Sequence, residues 1–90
     1  MEINQEDFNK FSPTEKKVLK ILNRTTKKLS ITEVTEKYFA NGSKPIDPNA
    51  VISGAILNIN KKCEFNKLSW SISGEGLGRG GKTVWIEDAK

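Results

Sequence analysis

Apolar and polar residues follow two different periods along this chain. Apolar residues recur at helical spacing in residues 12–24, 30–39 and 47–63, and they alternate with polar residues in 68–73 and 82–87. The first period predicts three amphipathic helices, and the second predicts two antiparallel strands. The chain is therefore expected to form a mixed α+β domain in which a three-helix bundle precedes a C-terminal β-hairpin.

The first two predicted helices begin with the same capping signature. Ser12 and Ser30 each precede a glutamate by three residues, at Glu15 and Glu33. In this capping box the serine and glutamate side chains satisfy the free N–H groups at the start of a helix. Leu29, just before the second cap, is expected to act as a hydrophobic staple. The first helix should bury Val18, Leu19, Ile21 and Leu22 and should leave Lys16, Lys17 and Lys20 solvated.

The segment that precedes the first cap is polar and aperiodic. Residues 1–11 are predicted to be a flexible lead-in, with Phe8 or Phe11 folded against the first helix. Residues 12–90 are predicted to form the domain itself. A total of 90 residues, 36% of them apolar, suffices for one domain with a modest core.

The third predicted helix begins with Asp47 as its cap and Pro48 at its first position. Its apolar stripe consists of Ile52, Ile56, Ile59 and Cys63, with Ala55 beside it. The opposite face consists of Ala50, Gly54, Leu57, Asn58 and Lys61, flanked by Ser53, Asn60 and Lys62. The small residues of that face permit close approach, and Asn58 can offer a donor and an acceptor to adenine. Leu57 can touch a thymine methyl group, pack under the hairpin or belong to a protein interface. The alternative for the whole opposite face is that it is only solvated and binds nothing.

The two predicted strands flank a glycine-rich stretch, residues 74–81, that is too long for a tight turn. This stretch is expected to protrude, because its glycines let the backbone approach a ligand closely. Arg79 and Lys82 would give it a positive tip suited to a phosphate or a minor groove. A mobile loop without contacts is the alternative.

The net charge of +4 and the pI of about 9.3 favour a polyanionic partner. Residues 13–29 carry six Lys or Arg against one acidic residue. The chain has 13 lysines but only two arginines, and lysine acts as a point charge where arginine reads guanine bidentately. Phosphate attraction is therefore better supported than base reading, although a lysine-rich composition can also reflect genome bias.

Catalytic patterns are missing from the sequence. There is no histidine, and the single Cys63 cannot build a zinc site. Residues 76–83 match the P-loop spacing, but a P-loop needs a following helix, and a strand is predicted there. No secretory signal or membrane-length apolar run is present. We expect a cytoplasmic or nucleoid-associated protein without enzymatic activity, cofactor or metal.

The chain resembles the winged-helix effector domain of bacterial response regulators. The resemblance lies in residues 11–15 with the apolar positions that follow, in residues 56–63, and in the hairpin from Trp70 to Ile86. It implies that Asn58, Lys61 and Lys62 face the major groove or its phosphates and that Arg79 lies on the wing. The order of elements also resembles winged helices that bind RNA polymerase or other proteins.

The sequence thus predicts a winged-helix domain that binds duplex DNA and regulates transcription. Its third helix would enter the major groove, and its wing would contact backbone or minor groove. The candidate DNA-binding residues are Asn49, Ser53, Gly54, Leu57, Asn58, Lys61, Lys62, Arg79 and Lys82. The alternative is a protein-interaction module that acts on the transcription machinery or another complex through Leu57, Trp85 and the wing.

Overall fold

The computed structural model describes residues 3–24, 28–76 and 82–88. Within these ranges the chain forms four helices and a three-stranded antiparallel sheet. In chain order the elements are α1 (Gln5–Phe8), α2 (Pro13–Asn23), β1 (Leu29–Ser30), α3 (Ile31–Tyr38), α4 (Pro48–Phe65), β2 (Trp70–Glu75) and β3 (Thr83–Asp88). This mixed α+β architecture confirms the class that the hydrophobic pattern predicts.

Both predicted capping boxes are present. The Ser12 hydroxyl accepts from the Glu15 N–H at 3.3 Å, and the Glu15 carboxylate accepts from the Ser12 N–H at 3.0 Å. Ser30 and Glu33 exchange the equivalent bonds at 3.1 and 2.9 Å at the start of α3. The Asp47 carboxylate caps α4 by accepting from a backbone N–H at 3.2 Å. The helices therefore begin where the sequence predicts.

The sheet has the strand order β1-β3-β2. β2 and β3 form the predicted hairpin, with Ile72 opposite Ile86. β1 was not predicted, because two residues are too short to display a period. Leu29, which we expected to be a helix staple, is buried in the same core as Val34 and also pairs with Val84 across the sheet. β1 thereby ties the segment between α2 and α3 to the hairpin.

One hydrophobic core joins the helices to the inner face of the sheet. The buried apolar residues are Phe11, Val18, Leu19, Leu22, Leu29, Ile31, Val34, Ile52, Ala55, Ile59, Cys63, Trp70, Ile72 and Val84. The predicted stripes of α2 and α4 contribute half of them, while Ile21 and Ile56 are half-buried at the edge of the core. The helical periodicity therefore identifies the buried faces of both helices.

Residues 3–11 contribute more to the fold than their sequence suggests. α1 is a one-turn helix capped by Asn4, which sequence periodicity cannot reveal in so short a segment. Phe11 is buried, with its ring centroid 5.7 Å from that of Trp70. The Trp70 indole Nε1 donates to Asp7 Oδ2 at 3.3 Å. Residues 3–11 are therefore packed against the core.

Candidate nucleic-acid interface

The solvent-facing side of α4 is the first part of the candidate site. Residues 50, 54, 57, 58 and 61 are all exposed, as the helical spacing predicts. We call this set, Ala50, Gly54, Leu57, Asn58 and Lys61, the α4 ridge. Its position follows from the burial of the opposite side of the helix against the core.

Gly54 lies in the middle of the α4 ridge, and the packing of the domain does not require a glycine there. A Cβ atom built at this position would meet no atom within 4 Å beyond the local backbone. Glycine inside a helix costs roughly 0.5–1 kcal/mol relative to alanine. The same glycine leaves the backbone of α4 open to close approach by a bound macromolecule.

Asn49 and Ser53 lie on one flank of α4 and are half-buried. The Asn49 Nδ2 atom is 3.4 Å from the Thr32 hydroxyl oxygen, to which it donates. Asn60 lies on the same flank, and its side-chain amide bonds the backbone of Ile72 in β2. This flank faces the rest of the domain, so Asn49 and Ser53 border the α4 ridge without belonging to it.

Lys62 differs from Lys61 although the two are adjacent. Its Nζ donates to the Glu15 carboxylate at 2.7 Å and lies 5.9 Å from the centroid of the Phe11 ring. Burial alone would raise the pKa of the Glu15 carboxyl, but hydrogen bonds from Lys62 and from the Ser12 backbone outweigh it and hold that pKa below its usual value. Lys62 therefore joins α4 to α2. The sequence resemblance implies instead that Lys62 faces the major groove or its phosphates.

Several large apolar side chains are exposed on α4 and in the loop before it. Leu57 is 57% exposed and Phe65, the last helical residue, is 87% exposed. Val51 and Ile46 are exposed as well. Phe65 was missed because the sequence analysis ended the helix at Cys63, two residues early. If the predicted helix is extended by two residues beyond Cys63, Phe65 lies one turn after Lys61 on the solvent-facing side.

The second part of the candidate site is the base of the glycine-rich loop. Residues 77–81, and with them Arg79, lie outside the described residues. Lys82 is exposed and its carbonyl accepts from the Ile31 N–H at 2.8 Å. A Cβ on Gly74 would come within 2.6 Å of Lys82 Cε. The absence of a side chain at Gly74 thus makes room for the Lys82 stem at the base of the loop.

The outer face of the hairpin has the opposite electrostatic character. The Trp85 indole donates to Glu87 at 3.2 Å, and the Ser73 hydroxyl donates to the same carboxylate at 2.8 Å. These hydrogen bonds, that from Ser73 foremost, lower the pKa of the Glu87 carboxyl. Lys28 lies 4.0 Å from the Trp85 ring centroid and 3.6 Å from a Glu75 oxygen. Carboxylates on this face disfavour phosphate, so the outer face of the hairpin is not part of the candidate interface.

Within residues 3–24, 28–76 and 82–88, no group of three or more potential ligands could hold a metal ion. Cys63 is buried, and burial raises the pKa of its thiol to about 11. A thiol with so high a pKa is protonated at neutral pH and is a poor nucleophile. None of the helices in the described ranges has the length and apolarity needed to cross a membrane.

Comparisons of this chain with protein-family models, curated proteins and solved structures gave no match. Its function is therefore inferred from the chemistry of its own surface.

Proposed function

We propose that this protein is a winged-helix protein that binds duplex DNA and regulates transcription. The arrangement of elements supports a winged helix, because a short strand between two helices pairs with a C-terminal hairpin whose loop is glycine-rich. In this proposal α4 enters the major groove, and the loop between β2 and β3 contacts the adjacent backbone or minor groove.

The observation that carries the proposal is the composition of the α4 ridge. Ala50 and Gly54 leave the N-terminal half of the ridge without bulk, so that base edges can approach the helix. Asn58, one turn further, can bond adenine with both atoms of its amide, and Leu57 can contact a thymine methyl group. Lys61 follows on the same side and can reach a phosphate or a guanine.

Charge supports the same assignment. The chain has a net charge of +4, and its cations are mostly lysines, which attract phosphates without reading sequence. Lys61 on α4 and Lys82 at the base of the loop are both exposed. We propose that they hold the backbone on either side of the groove that α4 occupies, together with Arg79.

The substitution Gly54→Glu tests the position of the interface. It places bulk and a negative charge on the α4 ridge, where the open surroundings of Gly54 leave the core untouched. Gly42→Glu is the matched control, because it makes the same change in charge at another exposed glycine. A Cβ atom at Gly42 would likewise meet no atom within 4 Å. We expect fluorescence anisotropy with duplex DNA to show loss of binding for Gly54→Glu alone. Equal affinities of the two variants would contradict the placement of α4 in the groove.

The second candidate function is a protein-interaction module. The exposed side chains of Leu57 and Phe65 favour it, since both lie on the solvent-facing part of α4 and would be covered by a protein partner. The substitution Phe65→Ser separates the two functions. In the DNA-binding proposal it leaves the affinity for duplex DNA within about twofold, because Phe65 lies beyond the polar part of the α4 ridge. If the unmodified protein is folded but binds no duplex DNA, the protein-interaction module becomes the leading proposal.

A further inference from the structure

The exposed side of α2 carries a second concentration of positive charge. Lys16, Lys17, Lys20 and Arg24 project within roughly a third of the helix circumference, because they are spaced by one, three and four residues. Lys17, Lys20 and Arg24 are exposed, whereas Lys16, which we expected to be solvated, is half-buried. We call these four residues the α2 cationic face. The opposite side of α2 is buried in the core through Val18, Leu19 and Leu22.

The charges of the α2 cationic face are not neutralised by carboxylates. In the part of the chain that the structure describes, ion pairs involve Lys10, Lys28 and Lys62, and none involves the α2 cationic face. The only acidic residue of α2 is Glu15, and its carboxylate is already bound to Lys62. Four cations therefore remain to attract an external anion.

Three of these cations lie close to aromatic rings. The ammonium groups of Lys16 and Lys20 lie 5.8 and 5.7 Å from the centroid of the Phe8 ring. That of Lys17 lies 4.3 Å from the centroid of the Tyr38 ring. A lysine ammonium has three N–H donors, so a cation that rests on a ring still presents donors to solvent. The rings of α1 and α3 thus favour positions of the three ammonium groups along this side of α2.

The α2 cationic face and the α4 ridge point in different directions. α2 and α4 pack on one core with their buried sides, and the Lys62–Glu15 pair joins their flanks. Two helices that bury facing sides expose sides that point away from one another. The α2 cationic face and the α4 ridge therefore lie on different sides of the shared core.

We propose that the α2 cationic face is a second, sequence-independent site for the phosphate backbone of duplex DNA, and that the protein bridges two duplexes. Charge complementarity selects the occupant, since a row of lysine and arginine donors matches a row of phosphates. The protein then holds one duplex on the α4 ridge and another on α2. This inference rests on the proposed DNA binding by α4.

Energy transfer between two labelled duplexes tests the bridge. One duplex carries a donor dye, a second carries an acceptor dye, and the protein is added at a concentration that saturates a single duplex. We expect energy transfer for the unmodified protein. The triple variant Lys16→Gln, Lys17→Gln and Lys20→Gln should bind a single duplex within about threefold of the unmodified protein but should lose roughly tenfold or more of the energy transfer.

A control variant with the same loss of charge is available outside both faces. Lys37→Gln, Lys44→Gln and Lys67→Gln also remove three charges from exposed positions, and this variant should keep the energy transfer. Circular dichroism melting of each variant checks that the fold is retained. A bridge made by protein dimerisation, rather than by α2, would survive in the α2 triple variant.

The outcomes separate this inference from the proposed function. Single-duplex binding without energy transfer would overturn the bridge and leave the DNA-binding proposal intact. Equal energy transfer by the α2 triple variant and the unmodified protein would also overturn it. If the unmodified protein bound no duplex at low salt, both the proposed function and the bridge would fail together.

Discussion

Asn58 and Asn60 lie two residues apart on α4, yet the structure gives them opposite roles. Asn60 Nδ2 donates to the Ile72 carbonyl at 2.9 Å, and Asn60 Oδ1 accepts from the Ile72 N–H at 2.8 Å. β2 is an edge strand, so these two backbone groups lack a strand partner on that side. The Asn58 side chain is exposed and makes no hydrogen bond in the described part of the chain. Asn60 therefore holds the hairpin, whereas the amide of Asn58 is available for the DNA contact that we propose.

Substitution of each asparagine by alanine separates these roles. Asn60→Ala removes two hydrogen bonds, each of which contributes about 0.5–1.5 kcal/mol net, so we expect a loss of about 1–3 kcal/mol in the free energy of unfolding. The half-buried setting of Asn60 lets water replace part of that loss, which favours the lower half of the range. The gain in helix propensity is the same for both substitutions and cancels in their difference. Asn58→Ala should be neutral or slightly stabilising.

Urea and thermal denaturation followed by circular dichroism measure the difference between the two variants. For a domain of this size each kcal/mol corresponds to roughly 4–8 °C in Tm. On the duplex that the unmodified protein selects from a random pool, Asn58→Ala should weaken binding roughly tenfold, as the loss of one amide–adenine pair implies. Asn60→Ala should bind that duplex with nearly unchanged affinity below its Tm. Equal stabilities of the two variants would refute the assignment of Asn60 to the hairpin.

Three further predictions concern stability and reactivity. The pKa of Glu15 is lower in the folded protein than its ordinary value of 4.5, so the ionised carboxylate stabilises the fold at neutral pH, and this stabilisation is lost as the pH falls below about 4.5 through the folded pKa. When the free energy of unfolding is measured against pH in the acid range, it should fall less steeply for Glu15→Gln than for the unmodified protein. Parallel curves would contradict the Lys62–Glu15 pair. Cys63, with a thiol pKa of about 11, should react with a disulfide reagent at pH 8 only after denaturation, and rapid native labelling would show that it is accessible. Lys67, which follows the C-cap of α4, has a φ of 54° in the left-handed region, and its N–H donates to Glu64 O at 3.2 Å. Lys67→Gly should relieve this strain and stabilise the protein by roughly 1 kcal/mol in urea denaturation, and a destabilised variant would argue against strain at this position.

The caps and the buried helix faces were predictable because their signals are local. A capping box spans four residues, and the Ser12 and Ser30 boxes form as predicted. The stripe of α4 follows from a period that one helix displays by itself, and Ile52, Ile59 and Cys63 are buried accordingly. The exposure of the α4 ridge follows from the same period. These features do not depend on which other elements pack nearby.

The features that were missed depend on tertiary partners or on segments too short for a period. β1 has two residues and becomes a strand only because β3 lies beside it. Lys62 lies on the border of the exposed face in a helical projection, and its direction is decided by Glu15, which is 47 positions away in sequence. Phe11 was expected to fold against the first helix, but its contact with the Trp70 ring likewise depends on a residue that is distant in sequence. Sequence spacing alone contains none of this information.

Salt-titrated fluorescence anisotropy with a random-sequence duplex tests the central claim most directly. If α4 and the loop bind phosphates as proposed, binding releases counterions, and the logarithm of the affinity should fall linearly with the logarithm of the salt concentration. Three phosphate contacts, by Lys61, Lys82 and Arg79, predict that the slope of this plot has a magnitude of roughly 3. Any contact by α2 would make the slope steeper. The account predicts binding at low salt that weakens by at least tenfold between about 50 and 200 mM salt. Absence of binding at low salt, or an affinity that does not change with salt, would contradict it.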